Sequence, residues 1–172
     1  EAALSPEGFI VSAKLLATYL KDHHAGSEAA VSIVEHLAES HPNTAAARIA
    51  PRLKAEFEDE RQQLAMLLTR LDDSTSAPRR VVGWMSEKAL ELKLWADDRS
   101  DGALHLLEAV EMLGLGVHGK IGLWKALDAN RAAVPVLAML QYDALIRQGE
   151  AQAALIERAR LEAAQAVAAS GE

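Results

Sequence analysis

Four side chains able to bind a metal or carry a proton fall near the middle of long helical patterns: His23, Glu60, Glu111 and His118. His23 interrupts an apolar stripe, Leu16, Leu20, His23, Ser27, Ala30, Val34 and Leu37, whose spacings of four and three put these residues on one side of a helix. Glu60 stands in a second stripe with Leu53, Phe57, Leu64, Leu67 and Leu71. Glu111 and His118 stand in a third, with Leu104, Leu107, Gly114 and Ile121. Imidazole nitrogens and carboxylate oxygens are ligands for iron, manganese or zinc, and a metal would neutralise acids that are costly to bury. Iron or manganese is the cofactor expectation. Asp22, Glu56 and Asp59 flank this layer as acceptors for a histidine N–H.

The same residues also fit a hydrogen-bonded network needing no ligand. In it His23 donates to Glu60 or Glu111, and His118, Gln141 and Gln148 complete the layer, with the hydroxyls of Tyr19 and Tyr142 as further partners. A network of this kind fixes helix register. It makes a non-catalytic binding or scaffold protein the leading expectation, with an atypical metal-binding bundle of oxidoreductase or storage-like chemistry as the alternative. An acid–base site is the third use of the same groups. His24 with Glu28, and His105 with Glu108, have spacings that suit a surface metal, but solvated helix faces produce such pairs often. Glu56, Glu58, Asp59 and Glu60 read as a partly exposed acidic face opposed by Arg52 and Arg61.

These residues need helices to hold them, and composition supplies the means. Half of the 172 residues are hydrophobic but only 4% are aromatic, a balance that suits closely packed helices in a single domain spanning 1–172. Long helices are expected at about 6–40, 44–72, 103–129 and 135–169, with a shorter one at about 78–96. Ser5, Pro6 and Glu7 start the first. Pro51 is expected to kink the second or to mark its effective start. The third carries another apolar stripe, Leu106, Val110, Leu113, Val117 and Trp124, so it should be deeply buried. Its Gly114, Gly116, Gly119 and Gly122 suit close helix contacts or a bend. Pro135 opens the last helix, with Leu137, Gln141, Ala144, Gln148, Ala151 and Leu155 in line. Its tail beyond Leu155 is expected to project from the core, frayed or paired with another chain. Trp84, Trp95 and Trp124 read as packing anchors.

A net charge of -7 argues against clustered cations, and so against nucleic-acid or anionic-membrane binding. The absence of cysteine removes disulfides, thiolate metal sites and thiol nucleophiles. No apolar run approaches the roughly 20 residues that span a bilayer, and residues 1–10 lack the pattern of a leader. A cytoplasmic protein that self-associates or meets a protein partner is expected. Residue 1 is not Met, so the chain is open to trimming or processing. Gly114-x-Gly116-x-x-Gly119 matches a dinucleotide fingerprint without the strand that such a fingerprint follows.

The connection between the second and third long helices is long enough to cross the bundle, the ferritin-like arrangement; a five-helix up-and-down bundle is the alternative. The segments 19–27, 56–61 and 117–127 resemble a family of uncharacterised bacterial ferritin-like proteins, over about residues 15–158. That resemblance implies the fold but no established activity. Metal-binding ferritin-like proteins carry Glu-x-x-His on two helices, and none of the six histidines here has Glu three residues before it.

Overall fold

The helical periods of the sequence become helices throughout the described part, residues 6–75 and 102–170 of this computed structural model. Helix α1 covers Pro6–Ser40 and α2 covers Ala45–Thr75. Helix α3 covers Ala103–Asn130, a short 3-10 helix covers Pro135–Met139, and α4 covers Tyr142–Ala169. The described residues contain no strand, and the four long helices form an all-α bundle. The expected helix at 78–96, with Trp84 and Trp95, lies outside the described residues. None of the described helices is long and apolar enough to cross a membrane.

A tight corner turns α1 into α2. Asn43 takes a left-handed backbone at φ 73, which asparagine tolerates better than most residues. Thr44 then caps α2: its hydroxyl accepts from the Ala47 N–H at 3.1 Å and donates to the His41 carbonyl at 2.8 Å. Glu162 of α4 accepts from the Ala45 N–H at 2.8 Å, placing a carboxylate at the positive end of α2. Helix α2 runs through Pro51 without interruption, because this exposed proline lies near the helix start, where few hydrogen bonds are lost.

Helix α1 packs on α2 and α3 on α4, while α1–α3 and α2–α4 contacts close the square. Residue pairings give the directions. His36 meets His105 and His23 shares a cavity with Val117, so α1 and α3 are antiparallel. Glu60 meets Lys120 whereas Leu53 meets Leu113, so α2 and α3 run the same way. The end of α2 at Thr75 and the start of α3 at Ala103 therefore lie at opposite ends of the bundle.

The core divides into two apolar clusters. One gathers Val34, Leu37, Leu53, Phe57, Leu113, Val117 and Ile156 towards the α1–α2 corner. The other gathers Leu20, Leu64, Leu67, Leu123, Trp124, Leu137 and Tyr142 towards the opposite end. Glu60, Lys120 and Gln152 lie at the level between them.

Three expectations are corrected here. Pro135 opens a 3-10 turn and not the last helix: Leu140 is extended at φ -102 and ψ 154, and α4 starts afresh at Tyr142. The break resets the helical phase, so the inward line of α4 is Leu145, Gly149, Gln152, Ile156, Ala159 and Ala163, while Gln141 is exposed. The tail of α4 does not leave the core at Leu155, since Ile156, Ala159 and Ala163 are buried against the first cluster. On α3 the stripe through Val110, Leu113, Val117 and Trp124 wins the interior, and Leu104, Glu111 and His118 face outward.

Candidate functional site, a polar layer beside a cavity

Glu60 is placed by the inward face of α2, which is otherwise leucine and phenylalanine, and only 2% of it is exposed. A carboxylate there must be compensated. Lys120 on α3 supplies the charge, its Nζ donating to Glu60 Oε2. Gln152 on α4, fully buried, completes the layer. Its Nε2 donates to Glu60 Oε1 at 3.0 Å and to Glu56 Oε2 at 2.9 Å, and its Oε1 accepts from Lys120 Nζ at 2.5 Å. Arg52 closes the outer end, its Nε donating to Glu56 Oε1 at 2.7 Å. The ammonium of Lys120 also lies 4.3 Å from the centre of the Phe57 ring, a cation–π contact.

Two carboxylates and two cations balance along this chain, so the layer carries no net charge. Burial pushes the Glu60 carboxyl above its ordinary range, while the Lys120 charge and the hydrogen bonds from Lys120 and Gln152 hold it down. Burial likewise pulls the Lys120 ammonium down, and Glu60 resists. Each ion is tolerable because of the other.

Beside this layer a cavity of about 330 Å³ opens between α1, α2 and α3. Phe57, Leu64, Val117 and Leu123 form its apolar walls. Glu60 and Lys120 form its charged side, and Asp22, His23 and Arg61 supply further polar groups. Gly26, Gly116 and Gly119 border it, and among the described residues a Cβ at any of them would meet nothing within 4 Å. Of the α3 glycines expected to serve close helix contacts or a bend, Gly114 meets Ile156 of α4 at 3.6 Å from its ideal Cβ position, whereas Gly116 and Gly119 border open space among the described residues. Close approach occurs instead at Gly149, where a Cβ would lie 2.7 Å from Ile121 Cγ1.

Of the four residues expected to converge, His23 and Glu60 line this cavity. Glu111 is exposed and pairs with Arg160 at 3.5 Å. His118 is also exposed, its Nδ1 lying 2.8 Å from the Gly114 carbonyl oxygen. Both sit on the outer side of α3, so the four do not form one ligand set. His23 is half-buried with its ring edge-on to Tyr19 at 4.7 Å. Burial lowers its pKa, with Asp22 partly offsetting the effect. The hydrogen bonds to Glu60 come from Lys120 and Gln152. Lys120 was legible as part of a stripe, since Leu113, Val117, Lys120 and Trp124 are spaced four, three and four. Gln152 was hidden by the phase break before α4.

The surface pairs separate in the same way. His24, half-buried, has its Nδ1 4.0 Å from exposed Glu28. His105 is buried, whereas Glu108 is exposed. His105 meets His36 of α1 and His41 of the corner, and the ligand atoms of these three histidines all lie within 4.8 Å of one another. No protein-family model, curated protein or solved structure matches the chain.

Proposed function

We propose that this chain is a non-catalytic ligand-binding bundle of ferritin-like topology, which takes a small, mostly apolar molecule bearing one hydrogen-bonding group into the cavity between α1 and α3. The carrying observation is the pairing of that cavity with glycines on both facing helices, Gly26 on α1 and Gly116 and Gly119 on α3. Glycine within a helix costs about 1 kcal/mol relative to alanine, and among the described residues no packing contact requires it. Space for a guest gives these residues a role. Apolar walls with a few placed polar groups are the usual make-up of a small-molecule site. The charged layer fixes the side of the cavity, because Glu60 and Lys120 are engaged with each other and with Gln152. The parallel course of α2 and α3 and the long connection between them support the ferritin-like topology.

Fluorescence of 1-aminoanthracene, an apolar ring system with one amino group, tests the reading. The probe should brighten on the wild-type protein at a stoichiometry of one. Gly119→Leu, which fills the cavity mouth from an exposed helix position, should abolish the signal while the thermal midpoint is retained. Equal brightening in wild type and Gly119→Leu would refute the proposal, as would none with the folded wild type.

A further inference from the structure

We infer that His36, His41 and His105 form a zinc site at the α1–α2 corner, remote from the cavity. His36 comes from the last turns of α1, His41 from the corner and His105 from the first turn of α3. His36 lies thirteen positions after His23, about 20 Å along α1 at the helical rise. His41 and His105 are 7% and 6% exposed, and His36 is half-buried. The Nε2 atoms of His36 and His41 and both ring nitrogens of His105 are shielded from solvent.

The ring spacing approaches that around one tetrahedral ion. A Zn–N bond of about 2.0–2.1 Å places an imidazole centre about 3.2 Å from the metal, so tetrahedral angles separate ring centres by about 5.2 Å. The observed separations are 5.2 Å for His36–His105, 6.0 Å for His41–His105 and 6.1 Å for His36–His41. An ion would draw the rings of the two longer pairs together by about 1 Å, a small side-chain adjustment. Ser40 Oγ lies 3.4 Å from His36 Nδ1, and such partners orient histidines that bind a metal through the other ring nitrogen.

The donor set selects the metal. Among the described residues no carboxylate joins the three imidazoles within the same 4.8 Å. Imidazole ligands suit zinc, copper, iron or nickel, whereas manganese and magnesium favour oxygen ligands, and a tetrahedral arrangement favours zinc within the first group. Three histidines leave the fourth tetrahedral position for water or another donor. The corner is already braced: Thr44 N–H and hydroxyl both donate to the His41 carbonyl, and the His41 N–H donates to Leu37 at 3.3 Å. Zinc bound here would tie the end of α1 to the start of α3.

The test uses untagged protein stripped with a chelator and titrated separately with Co²⁺ and Zn²⁺. One Co²⁺ should give the intense visible bands of tetrahedral nitrogen coordination and be displaced by one Zn²⁺. His105→Ala and His36→Gln should each weaken Zn²⁺ binding by ~100-fold or more, and Ser40→Ala by about 10-fold, since outer partners of metal histidines are worth about 10–100-fold. His24→Ala should leave it unchanged. Only weak octahedral Co²⁺ bands on the wild type would overturn the inference, as would wild-type affinity in folded His105→Ala or a loss with His24→Ala. The wild-type Co²⁺ spectrum decides the matter even if the histidine variants fail to fold.

Discussion

Replacing Lys120 with Met removes the charge from the centre of the bundle while keeping a flexible apolar side chain against Phe57. The Lys120 side chain is 14% exposed and that of Glu60 is 3%, so water offers the remaining carboxylate little relief. Unit charges about 4 Å apart at an effective dielectric near 20 attract by roughly 4 kcal/mol. Breaking a buried pair costs about 3–5 kcal/mol, and the surviving bond from Gln152 places this case towards the lower end, about 3 kcal/mol near pH 8. The cost should depend on pH. Burial already raises the Glu60 pKa, and without Lys120 the main opposing influence is gone. A carboxyl with a raised folded-state pKa stabilises the fold while protonated and loses that contribution as pH rises through that value. The variant should thus recover towards wild type as pH falls towards about 5. Removing both charges, in Lys120→Met with Glu60→Met, should bring stability within about 1 kcal/mol of wild type near pH 8. Urea denaturation of the three proteins at both pH values measures this. A deficit below about 1 kcal/mol near pH 8, or one that does not change with pH, would refute the assignment of Lys120 as the counter-ion on which Glu60 depends.

Two glycines on inward-facing helices should respond oppositely to alanine. Gly116→Ala gains helix propensity in open space and should stabilise by up to about 1 kcal/mol, whereas Gly149→Ala drives a Cβ into Ile121 and should cost about 1–3 kcal/mol in chemical denaturation. Tyr142 donates to the Leu137 carbonyl at 2.8 Å, and Tyr142→Phe should lose about 1–2 kcal/mol by leaving that oxygen unpaired. Burial and Asp128 push the Tyr142 phenol to about 12, so ultraviolet titration of Tyr19→Phe should show its transition there. A transition near 10 would contradict the buried hydroxyl. The lowered pKa of His23 means that its contribution to stability is present above the unfolded value and lost as pH falls through the folded one. His23→Leu should therefore lose less stability between about pH 7 and 5 than wild type, and the NMR midpoint of His23 should lie below 6.5.

The sequence by itself determined the helices and the inward face of α2. Periodicity is local: Leu53, Phe57, Glu60, Leu64, Leu67 and Leu71 fall on one side of any α-helix, and one apolar stripe leaves one choice of face. It also placed an acid, Glu60, on that apolar face, where a metal or hydrogen-bond donors were expected to compensate it. Tertiary structure alone decided the rest. Helix α3 offers two apolar stripes, and only packing against α4 and α1 selects the one with Lys120 and turns Glu111 and His118 outward. Leu140 breaks the last helix, and the new phase beginning at Tyr142 brings Gln152 to Glu60. Whether a glycine admits a neighbour or leaves a cavity depends on what lies opposite, which separates Gly149 from Gly119. His105 is 64 residues from His41 and 69 from His36, with no local spacing to mark their meeting. Their proximity follows from the antiparallel course of α1 and α3, which places the end of one helix beside the start of the other.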